Sequence, residues 1–88
     1  MNTFTFHTDP GHGWVEVDVD ILIDLGIHSK ITSYSYCYGS TAYLEEDCDA
    51  GTFVKAYEAK HGRRPEFVEK HSNNSHIRNL KPYGMASY

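Results

Sequence analysis

The chain carries six histidines. His7, Asp9 and His12 surround one turn, and His71 and His76 surround another. Imidazole and carboxylate groups are competent ligands for zinc or iron. Neither spacing matches a recognised ligand motif, and no cysteine pair accompanies them, so the histidines read as turn and surface residues. No metal or other cofactor is expected. A second cluster, Glu45, Glu46, Asp47 and Asp49, could share a proton or hold a divalent cation. Helix capping accounts for the two aspartates, and a hydrated strand end accounts for the two glutamates. Cys48 lies inside this cluster near a predicted helix start. The helix start would lower its pKa while the neighbouring carboxylates would raise it, so neither a reactive thiol nor any catalytic residue is assigned. The segment Pro10-Gly11-His12-Gly13 is rich in glycine, as phosphate loops are, but such loops deliver their amides at a helix N-terminus. Here a strand follows from Trp14, so a turn between strands is expected.

Tyrosine is the more suggestive residue. Seven of them occur, and Tyr34, Tyr36, Tyr38 and Tyr43 would share one face of a hairpin around Gly39-Ser40. Ser33, Ser35, Cys37, Ala42 and Leu44 would occupy the other. The pattern allows two arrangements: rings beneath the helices as core, or rings exposed as an interaction surface. Tyrosines also stack on nucleobases, but that role needs a cationic surround. Through Val54 the chain has nine acidic residues and one basic residue, Lys30. From Lys55 onward seven basic residues face three acidic ones. The acidic first half argues against a nucleic-acid partner. It suits a basic protein surface instead, with Glu16, Asp18, Asp20, Asp24, Glu45 and Glu46 as candidate contacts beside Tyr34, Tyr36, Tyr38 and Tyr43.

These side chains must be positioned by a small scaffold. At 88 residues, one domain spanning 1–88 with one core is expected. No apolar run approaches the roughly 20 residues needed to cross a bilayer, so no membrane partner is expected. The chain start lacks a basic stretch followed by an apolar run, and the expected location is the cytoplasm. Two cysteines make a disulfide framework improbable.

Phe4 and Phe6 alternate with Thr3, Thr5 and His7, which predicts a strand. Pro10 and Gly11 suggest a type II turn, and Trp14 to Val17 the returning strand. From Val15 to Ile23 apolar residues recur at every second position, which alone would give one long strand. Asp18 as N-cap, Asp20 in the first turn and Gly26 as a stop favour a short helix from Val19 to Leu25 instead. Ile31 to Glu46 reads as a second hairpin with a type II′ turn at Gly39-Ser40, setting Tyr36 opposite Tyr43 and Tyr34 opposite Glu45. Asp49 is the expected cap of a helix from Ala50 to His61, which Gly62 ends. Glu66 to Lys70 predicts a short edge strand. Ile77, Leu80 and Tyr83 could dock the tail, with 85–88 loose. The order ββ-α-ββ-α-β implies an α+β domain: a mostly antiparallel sheet with two short helices on one face.

The strings Asp9-Pro10-Gly11-His12-Gly13-Trp14 and Tyr43-Leu44-Glu45-Glu46-Asp47-Cys48-Asp49-Ala50, with Ser35-Tyr36 and Ile77-Arg78, resemble a family of small proteins encoded by phages and plasmids. The resemblance carries no catalytic residue or cofactor to any position here. It implies a mobile-element setting, in which small acidic proteins are often inhibitors of host defence, anti-CRISPR proteins among them. The expectation is therefore a non-catalytic protein that binds a host complex, with a homodimer through the tyrosine face as another arrangement. The alternative is a small enzyme or metal- or ligand-binding module using His7, His12 and the Glu45–Asp49 cluster, which requires those segments to converge on one pocket.

Overall fold

A computed structural model of the protein describes residues 3–73 and 75–84. The first two strands, β1 (Thr3–Thr8) and β2 (Gly13–Asp18), form the expected hairpin, with Phe6 opposite Val15 and His7 opposite Trp14. Its loop is not a type II turn, because Gly11 lacks the positive φ that turn requires. The Asp9 carboxylate organises the loop instead, accepting from the backbone N–H of Gly11 and of His12 at 2.9 Å each. Gly13 is needed for space: a Cβ there would lie 2.7 Å from Phe6 Cζ.

Helix α1 (Val19–Asp24) begins where the capping pattern places it. The Asp18 side chain accepts from Asp20 N–H, and Val19 N–H donates to Ser40 C=O in the next turn. Capping and the buried Leu22 thus override the period-two pattern. The second hairpin joins β3 (Tyr36–Tyr38) to β4 (Thr41–Glu45), with Tyr36 opposite Tyr43 and Cys37 opposite Ala42. Its turn has Gly39 at φ 59° and no positive φ at Ser40, as a type II′ turn demands.

The hairpin is shorter than the alternation suggested. Residues 31–35 are not strand, so Tyr34 does not face Glu45 across a ladder. The cause is Asp49, which is almost fully buried. Its carboxylate accepts from Thr32 N–H, Thr32 Oγ1 and Ser35 Oγ, drawing this stretch off the sheet into a turn closed by Ser35 N–H to Thr32 C=O. Asp49 is therefore not the helix cap. Helix α2 (Asp49–His61) starts at Asp49, after a Cys48 that makes no side-chain capping bond.

After α2 the chain enters β5 (Glu66–His71), which pairs with β1 in parallel, Phe4 beside Phe67 and His7 beside Lys70. A helix between two strands returns the chain to its starting end, so β5 runs in the sense of β4 and hence of β1. The tail adds a two-residue strand, β6 (Lys81–Pro82), that the sequence did not announce, paired with β3. Ile77 and Tyr83 are buried as expected of docking residues, and Leu80 is half-buried. The expected loose tail at 85–88 lies outside the described residues.

The result is an α+β domain whose described residues form a six-stranded sheet in the order β5-β1-β2-β4-β3-β6, antiparallel in four of its five pairings. One face packs on the helices. Phe4, Val15, Val17, Cys37, Ala42 and Leu44 meet Leu22, Phe53 and Tyr57 there. Phe4 stands edge-on to Phe53 and Tyr57, at 5.0 and 5.8 Å between ring centres. Small side chains under the helices let these large rings fill the core.

Candidate functional site

The pleat that sends Cys37, Ala42 and Leu44 inward sends the tyrosines outward. The register lays one row across the open face: Val68, Thr5, Glu16, Tyr43, Tyr36 and Pro82 on successive strands. A second row sets Lys70, His7, Trp14 and Glu45 side by side. A third sets Asp18, Thr41 and Tyr38 together. His7 Nε2 bonds Glu16 Oε1 at 2.7 Å and its ring lies 5.7 Å from that of Tyr43. Burial, reinforced by the Glu16 charge, pushes the Tyr43 hydroxyl above its ordinary pKa. Tyr36 and Tyr43 are half-buried, while Tyr34 and Tyr38 are 73% and 72% exposed.

Where β2 begins and β4 ends, this face deepens into a cleft of about 440 Å³. Trp14, Tyr34 and Tyr36 supply its aromatic lining; His12, Glu45 and Asp47 supply its polar lining, with Cys48 and Arg78 beside them. Trp14 is buried even though it belongs to the open face. The Arg78 guanidinium lies 5.5 Å from its ring centre, Tyr36 approaches at 6.4 Å and His12 at 6.0 Å. Its indole Nε1 has no hydrogen-bond partner among the described residues.

Arg78 sits on the short 3-10 turn His76–Asn79 and is fixed by a two-pronged bond to Asp9, Nε to Oδ2 at 2.8 Å and Nη2 to Oδ1 at 2.9 Å. That bond, with the loop amides of His12 and Gly11, holds the Asp9 carboxyl well below the usual range despite the opposing effect of burial. Asp9 thus locks the β1–β2 loop to the tail. Glu45 is positioned similarly: its N–H donates to Ser35 Oγ, and its Oε1 accepts from Asp47 N–H at 2.9 Å. Asp49 holds Ser35 in turn.

Of the metal-competent residues, the structure gathers His12, Glu45 and Asp47, one ligand atom from each lying within 4.8 Å of the others. His12 Nδ1 is 3.7 Å from Glu45 Oε2. His7 and Asp9 do not join them, being engaged by Glu16 and Arg78. His71 Nδ1 bonds Thr8 Oγ1.

The acidic residues are divided between the two sides. Glu16, Asp18 and Glu45 belong to the open-face rows. Asp20 and Asp24 belong to α1 on the helical side, where Asp24 pairs with Lys60 of α2, which lowers its pKa. Glu46 lines a groove of about 540 Å³ between α2 and β5, with Phe6, Val54 and Phe67. The six acidic candidates are therefore not one surface. Sequence reasoning missed Trp14 and Arg78 as organisers of the cleft. Arg78 stands 69 positions from Asp9, and no spacing rule connects them.

No family model, no curated protein and no solved structure matches this chain.

Proposed function

We propose that this is a non-catalytic binding protein that engages a protein partner through the open face of its sheet. The observation that carries the reading is a face over which no α-helix among the described residues packs: Tyr34 and Tyr38 stand exposed, beside the row that joins Tyr36 and Tyr43 to Glu16. Tyrosines offer large contact area at small entropic cost, and carboxylates among them favour a basic partner. On the resemblance to mobile-element proteins, that partner is a host defence complex whose basic groove handles nucleic acid, as for anti-CRISPR proteins, and the protein works in the cytoplasm. No helix among the described residues is long and apolar enough to cross a membrane.

Affinity capture with matched variants tests the reading. A host protein retained by the wild type and by a helical-side control, Lys55→Ala, should be lost with Tyr34→Ala/Tyr38→Ala and weakened by moderate salt. Equal retention by all three, or no specific retention at low salt, contradicts it.

A second reading rests on the convergence of His12, Glu45 and Asp47. One imidazole and two carboxylates suit a divalent transition metal, which would make the cleft a metal- or ligand-binding site. Stoichiometric zinc or manganese in purified wild type, lost with His12→Ala, would favour it.

A further inference from the structure

The two edges of the sheet are built differently. On one side β6 is two residues long and ends in Pro82, which has no N–H to offer. On the other, β5 is six residues long, exposed along its whole length and paired only with β1 among the described residues. It leaves Phe67 39% and Val68 59% exposed. Charged residues on an edge strand ordinarily discourage pairing. Here their order does the opposite for one partner.

Set against a second copy of itself in antiparallel sense, Glu66-Phe67-Val68-Glu69-Lys70 is self-complementary about Val68. Val68 meets Val68 of the second copy, and Glu66 of each copy meets Lys70 of the other. Both contacts lie on the open face, because the parallel register puts Val68 beside Thr5 and Lys70 beside His7. The neighbouring two-fold registers are penalised by charge. Centring on Glu69 sets Glu69 against Glu69, and centring on Phe67 forfeits both Glu66–Lys70 pairs, carrying Lys70 past the end of the second copy's β5 toward the like-charged Arg64. Opposite charges directly across a strand pair are favourable and like charges are not.

We infer that the protein self-associates through β5, pairing antiparallel with a second copy about a two-fold axis at Val68. The two sheets join into one of twelve strands, with both open faces on the same side and both α2 helices on the other. A binding face presented twice on one side gains avidity against a repetitive partner. The pairing stands on β5 alone and does not depend on the proposed function.

Sedimentation equilibrium across a concentration series tests it, using charge exchange at exposed positions. Wild type should show a monomer–dimer equilibrium. Glu66→Lys and Lys70→Glu should each weaken dimerisation by at least about tenfold, since both cross-strand pairs become repulsive. The double exchange Glu66→Lys/Lys70→Glu should restore it, and an equimolar mixture of the two single variants should form heterodimers. A wild type that stays monomeric at millimolar concentration overturns the inference. So does a dimer indifferent to the single exchanges, or one abolished by Tyr34→Ala/Tyr38→Ala, which would place the contact on the tyrosine face.

Discussion

The two faces of this sheet are made by the same strands and have opposite characters. On β3 and β4 one side reads Cys37, Ala42, Leu44 and the other Tyr36, Tyr38, Thr41, Tyr43, Glu45. The larger side chains face away from the helices. The core draws its bulk from Phe53, Tyr57 and Leu22 on the helical layer and needs only small partners from this hairpin. The open face therefore keeps rings and carboxylates that the core has no use for, and Trp14, its buried ring among the described residues, is covered by Arg78 from the short 3-10 turn rather than by an α-helix. Bulk is spent on stability on one side and left available for recognition on the other.

Substitutions should separate the two faces by the size of their effects. The largest expected loss is at Phe53, fully buried in the helical layer: Phe53→Ala should cost about 3–5 kcal/mol of unfolding free energy in urea titration. Next comes Asp49→Ala, which orphans the Thr32 and Ser35 donors beneath the cleft. It should cost about 2–3 kcal/mol and should free residues 31–35, seen as faster amide exchange there. A loss as small as that of a surface substitution would show that the buried carboxylate does not organise this turn.

Asp9→Asn tests the lock between loop and tail. Its carboxyl has a lower pKa in the folded chain than in the unfolded one, chiefly through Arg78. A lowered folded pKa gives stability that is complete above the unfolded value, about 3.9, and is lost as pH falls toward the folded value. The variant should melt below wild type at pH 7, and the gap should narrow in scans below about pH 4. A gap that stays constant with pH would mean that the charge contributes nothing. The smallest effects belong to the open face: Tyr34→Ala and Tyr38→Ala should each change stability by no more than about 0.5 kcal/mol.

Local chemistry made much of the scaffold legible. Asp18 and Gly26 located α1 against a competing strand pattern, Gly39-Ser40 set the register of the second hairpin, and phenylalanine alternation marked β1. What escaped was decided by contacts distant in sequence. Asp49 looks like a helix cap until Thr32 and Ser35 are brought to it, and that meeting removes Tyr34 from the strand. The parallel placement of β5 depends on where the helix crossover returns the chain. The cleft joins the first loop, the end of β4 and the tail, through an Asp9–Arg78 pair no local pattern encodes. Acidic residues that look continuous in sequence divide between two layers once α1 leaves the sheet.

Everything proposed for the open face requires that the pleat of β3 turn Cys37 inward and Tyr38 outward. Thiol labelling of the native protein reads that directly. With Cys48→Ser in place, Cys37 should react only as the sheet opens, while Tyr38→Cys in a Cys37→Ser/Cys48→Ser chain should react at least about a hundredfold faster. Equal rates at the two positions, or a faster Cys37, would mean that the strand presents its other side and that the aromatic surface is not there to bind anything.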